Sequence, residues 1–363
     1  MNNITAFKNL EHLKHPKLKV GIIGSSFKEN EKRLPIHPVD LLKIPIEYRP
    51  YILIDTGYGI NFGYTDEQLK SYVGQILTKE EIYKIADVIL VLKFTKQDYE
   101  LINPKKICWG WHHLVQNKQN VDIIINKELT TVSIENMFNN GKYILEDNRH
   151  IAGYASIMHA MQLKGLTGYL LDEHKQPKIA IISYGCVGKG AVDAFISLNF
   201  TNVDVYTKRN SNIVEFKRQN INYFSYPLKW FDTLKNYDII VNCILQDPLN
   251  PIIFLTKEEL LLLNKKMFII DISCDFKMGF DFAIPTSFNE PIIKITEYVD
   301  FYGVDHSPSV YYNTITMIIS NKLLQYLYKI IDCDFDIPDI KNAIEIDKGI
   351  IINNEINKFQ KRV

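Results

Sequence analysis

No stretch of this chain stays apolar for the roughly 18–20 residues that a bilayer span requires. Runs such as 85–92 and 267–272 have the length of buried strands instead. Charge of one sign is missing too. Lys+Arg and Asp+Glu each number 42, so the formal charge is zero and no field draws nucleic acid or an acidic membrane non-specifically. Cysteine is sparse: Cys108, Cys186, Cys243, Cys274 and Cys333 are odd in number and widely scattered. That pattern is neither a disulfide framework nor a zinc spacing, and no metal site is expected. With residues 1–16 polar and without the apolar core of a signal peptide, the expected home is a reducing cytoplasm. Repeats and low-complexity segments are lacking as well.

What the chain has is enough apolar residues for a real core: 46% hydrophobic against 23% charged over 363 residues, a length comfortable for two domains. Short β-branched runs alternate with longer helical patterns, the signature of parallel α/β architecture. One strand series is predicted at 19–23, 51–54, 88–92, 106–109 and 130–132, with helices at 65–73 and 79–85. A long helical pattern follows at 153–168. A second series then runs through 179–183, 203–206, 239–242, 267–271 and 292–295, before a helix over 314–328. The fold class expected is α/β, with two doubly wound Rossmann-like domains and an active-site cleft between them. Residues 1–150 together with 308–363 would form a substrate domain, and residues 151–307 an NAD(P)-binding domain. The charged tail beyond Pro338 reads as loosely packed.

The strongest local motif follows the strand at 179–183. Ser183-Tyr-Gly185-Cys186-Val187-Gly188-Lys-Gly190 opens an apolar-periodic helix, the context a dinucleotide fingerprint needs. Gly185 would admit backbone N–H groups to a pyrophosphate and Gly188 would let helix and strand pack closely, with the helix N-terminus facing the phosphates. Ser183 stands where the usual pattern has its first glycine. Cys186 and Cys243 fall near this turn. The next strand ends without an acid, at Thr207, and continues Lys208-Arg209. Two cations there suit the extra 2′-phosphate of NADPH better than the bare ribose of NAD.

Four further segments carry chemistry: Glu31-Lys-Arg33-Leu-Pro-Ile-His-Pro38, Val91-Leu-Lys93, Trp109-Gly-Trp-His-His113 and Ile270-Asp-Ile-Ser-Cys-Asp275. In this order, together with the glycine turn, the series resembles the superfamily of alanine dehydrogenase, saccharopine dehydrogenase and N5-(carboxyethyl)ornithine synthase. The likeness covers residues 19–327. Gly110-Trp-His-His113, Ala152-Gly-Tyr-Ala155 and Val187 through Ala191 look most like the carboxyethylornithine synthases. Val241-Asn-Cys-Ile244 and Val304-Asp-His-Ser-Pro-Ser309 look like the fungal-type saccharopine dehydrogenases.

The resemblance implies a role for each matching position. Arg33 would grip a substrate carboxylate through its bidentate fork, although an ion pair with Glu29 or Glu31 is the alternative. Lys93, ending an apolar strand, and His113 would move protons; His112 is then structural. Asp275 would stand near the nicotinamide and the substrate amine, and His306 would face the cofactor. Glu135 matches an acid ahead of the long helix, and Arg149 is a candidate for a second substrate carboxylate. The implied reaction joins an amino acid amine, such as that of ornithine or lysine, to a small 2-oxo acid such as pyruvate, and reduces the imine with NADPH. A saccharopine-type enzyme, an alanine dehydrogenase and a catalytically inactive nucleotide sensor are the alternatives. The partners implied are small molecules, with a homo-oligomer by family analogy.

Overall fold

The computed structural model describes residues 16–169, 171–172, 175–208, 218 and 221–362. The chain divides into two compact units. The first comprises residues 1–27, 34–144 and 319–356; the second comprises 28–33, 145–318 and 357–363.

The first unit is built on an eight-stranded sheet. Its order is Ile350–Ile351, Ile344–Asp347, Thr130–Ser133, Ile107–Trp111, Val88–Lys93, Val20–Ile22, Ile52–Asp55 and Gln75–Leu77. The strands from Thr130–Ser133 to Gln75–Leu77 run parallel. Val88–Lys93 is buried on both faces until its last residue, which is why it reads as a continuous apolar run rather than an alternation. Its Ile89 and Val91 pack with Leu53, Ile82, Tyr83 and Tyr99 into one core layer.

Two expectations change here. The helix predicted over 65–73 is only Asp66–Leu69, opened by a capping box between Thr65 and Gln68. A Cβ on Gly74 would come within 2.5 Å of the Pro50 carbonyl oxygen, so glycine fits the close approach just before the edge strand Gln75–Leu77. The charged tail is not loose either. Ile344–Asp347 adds antiparallel to Thr130–Ser133, turns at Lys348-Gly349, both with positive φ, and returns as Ile350–Ile351. Ile346 and Ile356 lie wholly inside the core. The alternation Ile344-Glu-Ile-Asp347 before a Lys-Gly turn is a hairpin signal that the charge of the segment conceals.

The second unit carries a seven-stranded sheet ordered Ile221–Ser225, Val203–Thr207, Ile179–Ile182, Ile239–Asn242, Met267–Asp271, Val299–Tyr302 and Ile292–Lys294. All pairings are parallel except the last. Successive strands step one way from Ile179–Ile182 and then the other, so the order reverses at that strand, the doubly wound switch point. Val299–Tyr302 was not anticipated; it takes an inner place and leaves the predicted strand near 292 at the edge.

The long helix is Glu146–Lys164 and begins seven residues before Gly153. It crosses the helix Cys186–Ser197 with backbones nearly touching. A Cβ on Gly153 would lie 1.9 Å from the Val187 carbonyl oxygen, and one on Gly190 would lie 1.9 Å from that of His150. Two glycines, one on each helix, thus permit the crossing.

Candidate active site

In the first unit, the strand ends place three candidate residues around one carboxylate. Lys93 closes Val88–Lys93 and pairs with Trp111 after an irregularity in the register. His112 and His113 follow the neighbouring strand, and His113 adopts φ +49°. Glu135 sits on the 3-10 turn Ile134–Asn136 beyond the next strand. Its Oε1 accepts the backbone N–H of His113 at 2.7 Å and that of His112 at 3.1 Å. The His113 Nδ1 lies 4.0 Å from the same oxygen. Burial raises the Glu135 carboxyl above its usual range, opposed by these N–H groups and by the positive charge of Lys93.

The two histidines differ sharply. His113 is 57% exposed at its side chain. His112 is buried, with its ring stacked on Phe94 at 4.7 Å. Its Nε2 meets the Cys108 carbonyl at 3.1 Å and its Nδ1 meets the Tyr99 hydroxyl at 2.5 Å. Nε2–H therefore donates while Nδ1 accepts, the neutral tautomer. Desolvation pushes the pKa of His112 down to about 3. His112 has the environment of a structural residue, and His113 that of one open to a ligand.

In the second unit, the strand Ile179–Ile182 leads through Ser183, at φ +83°, to Gly185 at the N-cap of Cys186–Ser197. Gly188 is required by packing: its Cβ would lie 2.1 Å from the Ser183 carbonyl oxygen. Gly185 is not, because its Cβ would meet only Ser183 Oγ, at 3.9 Å. With a glycine at the N-cap, that residue offers no side chain to take the first N–H groups of the helix. A glycine with open space above an uncapped helix N-terminus fits a pyrophosphate. Val187 lies in the first turn. Cys186 donates its thiol to Glu146 Oε1 at 2.9 Å, and burial together with that carboxylate pushes its pKa up to about 11. Cys243 follows the adjacent strand, with its Cβ 3.7 Å from the Gly188 position. Thr207 is buried at its strand end and Lys208 is exposed; Arg209 lies outside the described residues.

Asp275 is half-buried in the turn after Met267–Asp271. The acid more deeply placed there is Asp271. Its Oδ1 accepts from Asn242 Nδ2 at 2.9 Å and from the Cys274 N–H at 3.0 Å. Its buried Oδ2 has no hydrogen-bond partner among the described residues. Burial drives its pKa up to about 7. Arg149 is half-buried in the first turn of Glu146–Lys164.

Arg33 belongs to the second unit. It is buried, and its Nε donates to Glu31 Oε1 at 2.8 Å, its Nη2 to Glu31 Oε2, and its Nη1 to Asn148 Oδ1 at 3.2 Å. Burial alone would raise Glu31, but the guanidinium more than offsets it and holds the carboxyl low. The fork is thus spent on a carboxylate of the protein itself. His306 is likewise engaged at both ring nitrogens, with Asp305 Oδ1 and the Glu29 carbonyl each at 2.6 Å. Among the described residues no group of three or more His, Cys, Asp or Glu side chains is gathered as a metal site. No helix among them is long and apolar enough to cross a membrane.

Models for the two halves of one family match the chain: the alanine dehydrogenase/PNT N-terminal domain over residues 24–145 and the C-terminal domain over 152–356. The chain belongs to the alanine dehydrogenase/PNT family. Among its relatives, N(5)-(carboxyethyl)ornithine synthase of Clostridium botulinum is 30% identical over 82% of this chain and 90% of its own length. Alanine dehydrogenase 1 of Staphylococcus aureus is 24% identical over 94% of this chain and 93% of its own. Among solved structures, an L-alanine dehydrogenase superposes with a TM-score of 0.76 at 16% identity, covering 95% of this chain and 99% of that one. A transhydrogenase from Sinorhizobium meliloti gives 0.71 at 16%, covering 92% and 98%. The shared fold is two-domain and Rossmann-like.

Proposed function

We propose that this protein is an NADPH-dependent, opine-type dehydrogenase that condenses an amino acid amine, of ornithine or lysine, with pyruvate and reduces the resulting imine. The observation that carries the reading is the gathering of Lys93, His113 and Glu135 on adjacent strand ends of the first unit. The likeness to the carboxyethylornithine synthase of Clostridium botulinum supports the substrate pair.

The second unit would hold the nucleotide. Ser183, Gly185, Cys186, Val187 and Gly188 would receive the pyrophosphate. Thr207, Lys208 and Arg209 would receive the adenosine ribose and its 2′-phosphate, with Cys243, His306 and Asp275 toward the nicotinamide. When bound, the cofactor supplies the hydride equivalent. The chain's own residues handle the protons. Lys93 takes a proton from the substrate ammonium so that the amine lone pair can attack the oxo carbon. His113 protonates the carbinolamine hydroxyl, which then leaves as water. Glu135 holds the backbone at His113 in its left-handed conformation through two charge-assisted hydrogen bonds and favours the protonated state of Lys93. Arg33 and Arg149 would bind substrate carboxylates, with Arg33 exchanging Glu31 for its ligand.

The test is NADPH oxidation at about 340 nm, where reduced nicotinamide absorbs. Purified protein is run with ornithine, lysine, alanine or ammonia as amine, each paired with pyruvate, 2-oxoglutarate or glyoxylate, and with NADH in parallel. Turnover with ornithine or lysine plus pyruvate is expected. Turnover only with ammonia and pyruvate would make the protein an alanine dehydrogenase, and lysine with 2-oxoglutarate a saccharopine-type enzyme. A preference for NADH would overturn the cofactor assignment, and binding without any turnover would leave the nucleotide-sensor reading standing.

A further inference from the structure

Behind Glu135 lies a second carboxyl that the reaction above does not use. Glu345 is only 3% exposed and stands on Ile344–Asp347, the hairpin strand paired with Thr130–Ser133. Its Oε1 accepts from Asn136 Nδ2 at 3.1 Å and from Asn353 Nδ2 at 2.9 Å, and its Oε2 is paired with the Ser133 hydroxyl. Ser133 and Asn136 bracket Glu135 on one tight turn, and the charge of Glu135 acts on Glu345, so the buried Glu345 and the partly buried Glu135 are neighbours. The groups facing Glu135 are His112, His113, Lys93 and Glu345. Those facing Glu345 are Ser133, Asn136, Asn353 and Glu135, and Tyr99 feels both carboxyls.

Two full negative charges so close together in a buried setting repel strongly. The hydrogen bonds say which carboxyl yields. Glu135 Oε1 already accepts two N–H groups, and Lys93 favours the anion. Its Oε2 is buried with no hydrogen-bond partner among the described residues, so a proton there would find no acceptor. Glu345 Oε2 instead meets a hydroxyl, which accepts as readily as it donates.

We propose that Glu345 carries a proton at neutral pH and, by staying neutral, leaves Glu135 as the single negative charge beside Lys93 and His113. Glu345 is a positioning residue that acts through Glu135, and its bearing on turnover rests on the roles given above to Lys93 and His113. Desolvation and the charge of Glu135 together push the pKa of Glu345 up to about 7, against the lowering effect of its hydrogen bonds with Ser133, Asn353 and Asn136. As pH rises through neutrality Glu345 ionises. The added charge strengthens the hold on protonated Lys93, and the steps needing Lys93 as a base slow down.

The experiment is an infrared titration of the full-length protein, which needs no substrate. The wild type should show a buried carboxylic acid C=O band that disappears around neutrality. E345Q should abolish it. E135Q should keep it but move its midpoint to lower pH by about one unit or more, because the like charge is gone. Asp271 contributes a separate band, which D271N removes. In turnover assays with whichever amine and oxo acid react, the neutral limb of the kcat profile should vanish in E345Q. With the Asp271 band removed by D271N, a band surviving in E345Q, or one abolished only by E135Q, would place the proton elsewhere and overturn the proposal. If E345Q does not fold, the E135Q midpoint decides alone: no shift overturns it. Absence of turnover with the expected bands intact would sink the proposed function and leave this assignment standing.

Discussion

Ser183 occupies a backbone position that glycine would occupy more easily. At φ +83° its Cβ crowds the backbone, at a cost of about 1–2 kcal/mol for an L-residue in the left-handed region. Its carbonyl oxygen is pinned against Gly188, whose Cβ would lie 2.1 Å away, and its N–H donates to the Tyr206 carbonyl at 2.7 Å. The turn therefore cannot relax by rotating. S183G removes the crowding but gives the unfolded chain more freedom, which returns about 0.4–1 kcal/mol. The net expectation is a gain of about 0.5–1 kcal/mol, or a rise of about 1–4 °C in Tm. S183A is the control, since it deletes the hydroxyl and retains the Cβ. Thermal and urea unfolding without nucleotide would measure both. If S183G were less stable than wild type, or S183A gained as much, the strain argument would be refuted and the hydroxyl would be the group that matters.

Gly185 and Gly188 should separate packing from ligand binding. G188A drives a methyl into the Ser183 carbonyl and should cost about 2–3 kcal/mol in urea unfolding. G185A meets only open space; its stability should stay within about 0.5 kcal/mol while NADPH affinity, read by fluorescence titration, falls tenfold or more. Asp271 should make stability fall as pH rises. With a native pKa of about 7 against the ordinary aspartate value of 3.8, the folded state keeps a proton that the unfolded chain releases between those limits. D271N should remove up to about 4 kcal/mol of that decline, as seen in urea midpoints at acid and mildly alkaline pH; an unchanged slope would show that Asp271 is ionised. K93M should lower kcat by about 10²–10⁴ with unfolding unaltered, and a smaller loss would remove Lys93 from the proton transfers.

Local spacing was enough for much of the architecture. The runs that became Val88–Lys93, Ile179–Ile182, Ile239–Asn242 and Met267–Asp271 were visible because strands buried on both faces must be continuously apolar. The glycine turn was visible because strand, turn and helix follow one another within a few residues. The C-terminal hairpin was misjudged because three of the eight residues 344–351 are charged, and its partner strand, Thr130–Ser133, lies some two hundred residues earlier. Gly153 and Gly190 read as small residues in helices; their use depends on two helices crossing, which neither segment encodes alone. Glu31 was visible as a partner for Arg33, but not the burial that commits the guanidinium to it.

What the amino-acid sequence carried by itself was therefore the α/β class and the strand, glycine turn and helix around Gly185, features that close over a few positions, while Lys93, His113 and Asp275 entered as candidates through the family resemblance. Only the tertiary structure decided which of the adjacent histidines is buried and neutral, that Glu135 anchors both their backbones, and that Glu345 stands behind it. Those outcomes depend on burial and on charges brought together from distant strands. Desolvation and Coulomb energies are properties of a position in space, and the order of residues along the chain does not contain them.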